Sequence, residues 1–239
     1  MDQGLLQFIR RSSLFFLSLT LFIILVVKLW PQSEVLIFAE DGIIEDATAI
    51  ADAAAASLGF YALWLGALRG KPWAGRVALW TIPLLSLFCA LDEISWGARI
   101  LHLQMPEMRG GGEFDGVHDI FAVIERWAVA TDLWTLSATL LICAALTGLL
   151  AYGQRRRVAE LLTFAWQHRL GRPLASAIML LALATVLDFL HGRLISSLEE
   201  FSELCAGLLM LAAAYDSMRM ARMQAPDENL SAIAGHAGQ

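Results

Sequence analysis

Six segments of about 20 mainly apolar residues constrain this chain more than any other feature of its sequence. They cover approximately residues 12–30, 47–68, 74–96, 128–151, 173–195 and 201–218. A helix needs about 20 apolar residues to cross the roughly 30 Å hydrocarbon core of a bilayer. Only 17% of the 239 residues are charged, whereas soluble domains have roughly 25%. We therefore predict an all-α, polytopic membrane helix bundle of about six transmembrane helices, and we exclude a soluble enzyme and a disordered chain.

A single transmembrane domain over residues 1–223 accounts for all six segments, and residues 224–239 are expected to form a disordered cytoplasmic tail. The first segment is followed by Lys28, Trp30 and Pro31 rather than by a small-residue cleavage site, so we interpret it as a retained span. Residues 158–173 are expected to include a short helix on the cytoplasmic surface.

The distribution of charge predicts the orientation of the bundle. If the spans alternate strictly, twelve of the 17 Lys and Arg residues fall on one side, and most of the 23 Asp and Glu residues fall on the other. Basic loops stay in the cytoplasm, which predicts cytoplasmic N- and C-termini and an acidic extracytoplasmic face. The net charge of −6 argues against nucleic acid. The expected partners are the lipid bilayer and other membrane-protein subunits.

The first group of candidate functional residues lies at the start of the second span. Ionisable side chains are costly inside a membrane, so each one there is a candidate for function. Glu45, Thr48 and Asp52 share one face of a helix. Acids in a first helical turn also stabilise the helix end, which is the ordinary explanation for Asp46. Asp52 lies almost two turns into the span, and this explanation does not cover it.

The second group ends the third span. Asp92, Ser95, Trp96 and Arg99 are expected to form one stripe of a helix, with Glu93 beside it. Two adjacent carboxylates near hydrocarbon need a countercharge or a shared proton. A single arginine cannot neutralise both, so a further cation is implied if both are ionised.

The remaining groups combine carboxylates with histidine. Asp188 and His191 are three residues apart, and Glu200 and Glu203 repeat that spacing at the head of the last span. Carboxylate-x-x-His pairs occur in the two-metal sites of helix bundles. An ion-paired network around Arg193 explains the same residues equally well. His118 precedes the fourth span. A lone histidine at such a position more often has a structural role than a functional one.

Several of these segments together resemble a family of bacterial multi-pass membrane proteins of unknown function. That family carries E-D-G-x-x-E, E-E-I-S-W-G-Q-R, L-H-N and E-E-x-x-E segments. The matching stretches here are Glu40-Asp41-Gly42 with Glu45, Asp92-Glu93-Ile94-Ser95-Trp96-Gly97 with Arg99, Val117-His118-Asp119, and Glu199-Glu200 with Glu203. The resemblance covers roughly residues 40–215. It implies a protein of the bacterial cytoplasmic (inner) membrane, and it implies no reaction.

Three functions remain open. The first is a non-catalytic subunit or assembly factor of a larger membrane complex, with a carboxylate/His/Arg network joining the outer ends of the helices. The second is a metal-dependent hydrolase or lipid-modifying enzyme with an extracytoplasmic active site. The third is an ion transporter or a proton-coupled transporter. The candidate functional cluster is Glu45, Asp52, Asp92, Glu93, Trp96, Arg99, His118, Asp188, His191, Glu200 and Glu203.

The enzyme hypothesis requires a divalent transition metal. Its candidate ligands are Asp92, Glu93, His118 and Glu200, since carboxylate oxygens with imidazole suit Zn²⁺, Mn²⁺ or Fe²⁺. No HExxH-type spacing accompanies them, and no residue is assigned a catalytic role. No binding site for an organic cofactor is predicted.

Overall fold

The computed structural model describes residues 21, 25–26, 28–30, 42–97, 123–124, 128–188, 190 and 193–224. Most of the first predicted span and the predicted tail after Gln224 lie outside these residues. Among the candidate functional residues, Arg99, His118 and His191 also lie outside them.

The described chain is built from long helices. They are α1 (Ile43–Trp64), α2 (Trp73–Glu93), α3 (Leu133–Gly153), α4 (Arg155–Gln167), α5 (Gly171–Asp188) and α6 (Arg193–Gln224), with a short 3-10 turn at Ser95–Gly97. No strand occurs among the described residues, which confirms the all-α prediction.

Three of these helices, α1, α2 and α5, are long and apolar enough to cross a membrane. The apolar part of α3 and the adjoining α4 meet at an angle of 82° and pass the same test only as a bent pair. The described part of the chain therefore contains three candidate spans, or four if the bent pair is one span, which indicates a membrane protein. The segment predicted as the sixth span lies within α6, which is not one of the three.

Two helix ends differ from the prediction. The expected stripe through Ser95 and Trp96 is wrong, because α2 ends at Glu93 and both residues have positive φ, 47° and 52°, a left-handed conformation that interrupts a helix. The expected single helix through Asp188 and His191 is also wrong, because α5 ends at Asp188 and Leu190 lies in a bend.

The long helix α6 lies at the centre of the bundle. It packs against α1 on one side and α5 on the other, and α2 packs on α1. Small residues make the close contacts, because Ala55 of α1 and Ala206, Ala213 and Ala214 of α6 are fully buried. Helices in membranes associate through such small-residue faces, where backbones approach closely.

The contact between α1 and α2 depends on a glycine opposite a proline. A Cβ added at Gly59 would lie 2.9 Å from Pro83 Cβ and 3.0 Å from Pro83 Cδ. We expect Gly59→Ala to lower the free energy of unfolding by about 1 kcal/mol, since overpacking outweighs the helix propensity gained. Reversible unfolding in detergent measures this change. Gly75→Ala is the matched control, because its nearest neighbours are 3.6 Å away; an equal loss in both variants would contradict the packing argument.

The end of the bundle opposite the start of α1 is basic and tightly connected. Ala62, Leu79, Leu170 and Met218 share a buried cluster there, so the end of α1, the start of α2, the α4–α5 turn and the end of α6 meet. Arg169 Nε and Nη2 each donate a 3.0 Å hydrogen bond to the Asp216 carboxylate. In the turn between α4 and α5, burial lowers the pKa of His168, and the charge of Lys71 lowers it further.

Candidate functional site

A cavity of about 200 Å³ lies at the end of the bundle where α1 and α6 begin and where α2 and α5 end. Among the residues that the structure describes, half of those that line it are carboxylic acids, and none is Lys, Arg or His. We call this cavity the acidic chamber. Its lining consists of Thr48 and Asp52 from α1, Leu85, Phe88, Cys89, Asp92 and Glu93 from α2, Leu181, Thr185 and Asp188 from α5, and Glu199 and Glu203 from α6.

Helical periodicity explains why each helix contributes these residues. Positions four and seven residues apart lie on the same face of an α-helix. The lining follows this spacing in every helix: Thr48 and Asp52; Leu85, Cys89 and Asp92; Leu181, Thr185 and Asp188; Glu199 and Glu203. Four helices therefore each present one face to a shared space.

Asp52 is the most deeply buried acid of the chamber. Only 3% of its surface is exposed. Its carboxylate lies against α6, since a methyl group added at Gly207 would be 3.3 Å from Asp52 Oδ1 and 3.4 Å from its Cγ. Glycine at that position leaves the room that the carboxylate occupies. Thr48, one turn earlier, donates its hydroxyl to Ile44 O at 3.0 Å and so stabilises its own helix. Within the described part of the chain, Asp52 forms no hydrogen bond or ion pair.

The other acids surround the mouth of the chamber. Asp92, Glu93, Glu199 and Glu203 are half-buried, and Asp188 is exposed at the end of α5. Ionised carboxylates this close together repel one another and favour the uptake of positive charge.

Apolar packing closes the chamber on the side of the basic end. Below Asp52, the fully buried residues Ala55, Ile82, Ala206 and Met210 belong to one continuous hydrophobic core. That core continues through Ala177 and Ala214. The chamber is therefore a pocket with a floor rather than an opening through the bundle.

The structure brings together acids from three of the four predicted groups. Asp52, Asp92, Glu93, Asp188 and Glu203 line one cavity. Glu45 and Glu200 are half-buried and are not lining residues. Trp96 packs edge-to-face on Phe88, with the ring centroids 5.5 Å apart, and so lies beside the chamber. The remaining candidates, Arg99, His118 and His191, lie outside the described residues.

Seven lining residues were not in the predicted cluster: Thr48, Leu85, Phe88, Cys89, Leu181, Thr185 and Glu199. Thr185 lies three residues before Asp188, and Glu199 lies four residues before Glu203, so helical spacing from the known acids identifies both. Phe88 and Cys89 look like ordinary span residues and carry no sequence signal.

The described residues include no group of three or more His, Cys, Asp or Glu side chains that could hold a metal ion. Three of the predicted metal ligands, Asp92, Glu93 and Glu200, are described, and the fourth, His118, is not. The metal site therefore stays a prediction that depends on His118.

The resemblance to a bacterial membrane-protein family stays a prediction. Comparison with known proteins finds no match to this chain among protein-family models, curated proteins or solved structures.

Proposed function

We propose that this protein is a non-catalytic integral membrane protein whose acidic chamber binds a small organic ammonium ion. The observation that carries the proposal is the buried Asp52 carboxylate, which faces a cavity lined by five further acids and has no described partner. An ionised carboxylate buried without a countercharge costs several kcal/mol. A cation in the chamber supplies that countercharge.

The lining favours an amine over a bare metal ion. The described acids form no group that could hold a metal, and Leu85, Phe88 and Leu181 give the chamber apolar walls. An alkylammonium ion has a charged group for the carboxylates and a carbon body for those walls. Phe88 additionally offers an aromatic ring, whose face attracts a cation. A volume of about 200 Å³ corresponds to roughly six or seven water molecules, which suits a small ligand.

A transport pathway is less well supported. Proton and ion relays need polar groups through the depth of the membrane. Below Asp52, the core is formed by Ala, Ile, Leu and Met side chains. A pocket with an apolar floor fits reversible binding from one side.

We further propose six spans with cytoplasmic N- and C-termini in the bacterial cytoplasmic membrane, and an acidic chamber on the extracytoplasmic side. The separation of charge along the bundle supports this orientation. The chamber lies at one end, whereas basic residues occupy the other end, where positive charge marks the cytoplasmic side. These basic residues include Arg69, Arg76, Arg169, Arg219 and Arg222.

A role as a subunit or assembly factor of a larger membrane complex is the second candidate, and α3 favours it. This helix leaves the bundle, and its side chains are widely exposed, with Trp134 at 86% and Leu141 at 72%. Lipid, another subunit or a part of this chain outside the described residues must cover such a surface. Crosslinking from Leu141→Cys in native membranes distinguishes them: a single partner chain at fixed stoichiometry supports the complex, and labelling by lipid alone opposes it.

Calorimetric titration of the purified full-length protein with alkylammonium ions tests the binding proposal. We expect saturable one-to-one binding, weakened about tenfold or more in Glu203→Gln, because a charge-assisted hydrogen bond contributes about 1.5–3 kcal/mol. Glu160→Gln is the matched control, since Glu160 is exposed on α4 and distant from the chamber. Absence of ammonium binding would overturn the proposal. Stoichiometric Zn²⁺ or Mn²⁺ binding in its place would support the metal alternative.

A further inference from the structure

A long apolar groove runs along an exposed face of α2. Its volume is about 770 Å³, and its lining includes Trp73, Arg76, Trp80, Thr81, Leu84 and Phe88. These residues recur every three or four positions and so lie on one face of the helix. At a rise of 1.5 Å per residue, the groove extends about 18 Å from Arg76 to Phe88. This length is close to the thickness of one leaflet of a roughly 30 Å hydrocarbon core.

The groove is basic at one end only. Among the described residues, Arg76 is its single charged lining residue. The guanidinium of Arg157 lies above the ring of Trp73, 5.6 Å from its centroid. Arg157 also lines an adjoining pocket of about 300 Å³ together with Arg155 and Arg156, and none of the described residues that line that pocket is an acid. Neither Arg76 nor Arg157 forms an ion pair within the described part of the chain.

We propose that this groove binds an anionic phospholipid, with its phosphate between Arg76 and Arg157 and one acyl chain along α2 towards Phe88. Charge complementarity selects this occupant. A free anion uses the arginines but leaves the apolar groove empty, and an apolar segment of the protein fills the groove but leaves the arginines without a countercharge. An anionic lipid satisfies both parts, as at other basic pockets beside transmembrane helices. Trp73 lies beside the phosphate level, where tryptophan is enriched.

Lipid titration of the purified full-length protein in detergent, followed by native mass spectrometry, tests the proposal. Phosphatidylglycerol is expected to bind in preference to phosphatidylcholine. Each arginine near the headgroup contributes about a fivefold gain in affinity, so the double variant R76Q/R157Q should lose about 25-fold. Arg219→Gln, at the same end of the bundle but outside the groove, should change affinity by less than about twofold. Equal affinity for the two lipids, or an unchanged double variant, overturns the proposal.

Two further measurements separate lipid from the other occupants. Thr81→Phe fills the groove and keeps both arginines. It should therefore weaken the binding of phosphatidylglycerol and leave the affinity for inorganic phosphate unchanged. If Thr81→Phe weakens the binding of neither phosphatidylglycerol nor inorganic phosphate, the headgroup binds without the groove, which contradicts the proposal. A photoreactive residue at position 81 should crosslink to lipid, and crosslinking to residues 12–30 of the same chain overturns the lipid assignment.

Discussion

Replacing Asp52 with asparagine is expected to reduce ammonium binding by about 30-fold or more without lowering the stability of the unliganded protein. Truncating one member of a buried charge pair costs about 2–5 kcal/mol in binding, which corresponds to about 30-fold or more. The stability of the unliganded protein should not decrease. An asparagine side chain at this position carries no charge to bury, so the free energy of unfolding should be unchanged or higher by up to about 2 kcal/mol.

The same variant distinguishes a binding chamber from a structural ion-pair network. If Asp52 were paired with a cation of the protein itself, removing its charge would destabilise the fold by about 3–5 kcal/mol. Calorimetry and reversible unfolding on one preparation measure both quantities. Asp46→Asn is the matched control, because Asp46 is exposed in the first turn of the same helix and does not line the chamber. A destabilised Asp52→Asn protein would contradict the binding proposal and support a scaffold.

Gly171→Ala is expected to be the most destabilising single methyl addition in the described bundle. A Cβ at this position would overlap the carbonyl oxygen of Phe164 and lie 2.7 Å from the Cα of Ala165. Both are backbone atoms, so no side-chain rotation relieves the clash. The turn is also fixed by hydrogen bonds from His168 N to Phe164 O at 2.9 Å and from Arg172 N to His168 O at 3.2 Å. We expect a loss of about 3 kcal/mol or more.

The effect should reach the chamber, because α5 runs without interruption from Gly171 to the chamber residues Leu181, Thr185 and Asp188. Stability and ammonium binding should therefore both be impaired. Gly148→Ala is the matched control, since an added Cβ there meets nothing within 4 Å; it should be neutral or slightly stabilising. If Gly171→Ala and Gly148→Ala behave alike, the turn is more adaptable than the structure implies.

The sequence was sufficient to predict a bundle of long helices, because apolar segments of membrane length leave few alternatives. It was less informative about where the helices end. The residues Ser95 and Trp96 have no side-chain pattern that distinguishes a left-handed turn from one more helical turn, and Asp188 and His191 have a spacing that suits a helix whether or not the helix continues. Helix ends depend on local backbone conformation, which averaged hydropathy does not contain.

The candidate site, like the fold, could be predicted from the sequence only in part. Costly acids in apolar segments identified Asp52, Asp92, Glu93, Asp188 and Glu203 as candidates. Their convergence could not be predicted, since one sequence does not give the order in which helices pack. The placement of α6 between α1 and α5 is what joins these acids, and it follows from complementary faces of alanine and glycine that resemble ordinary membrane helix composition.

The central position of α6 has a consequence for how the protein is assembled during synthesis. Charged side chains oppose the entry of a single helix into the bilayer, and α6 carries Glu199, Glu200 and Glu203 near its start. Its alanine face matches α1 and α5, which precede it in the chain. We therefore expect α6 to enter the membrane together with helices already made. Until it does, Asp52 lacks the surface that covers it, and the partly synthesised protein is exposed to membrane quality control.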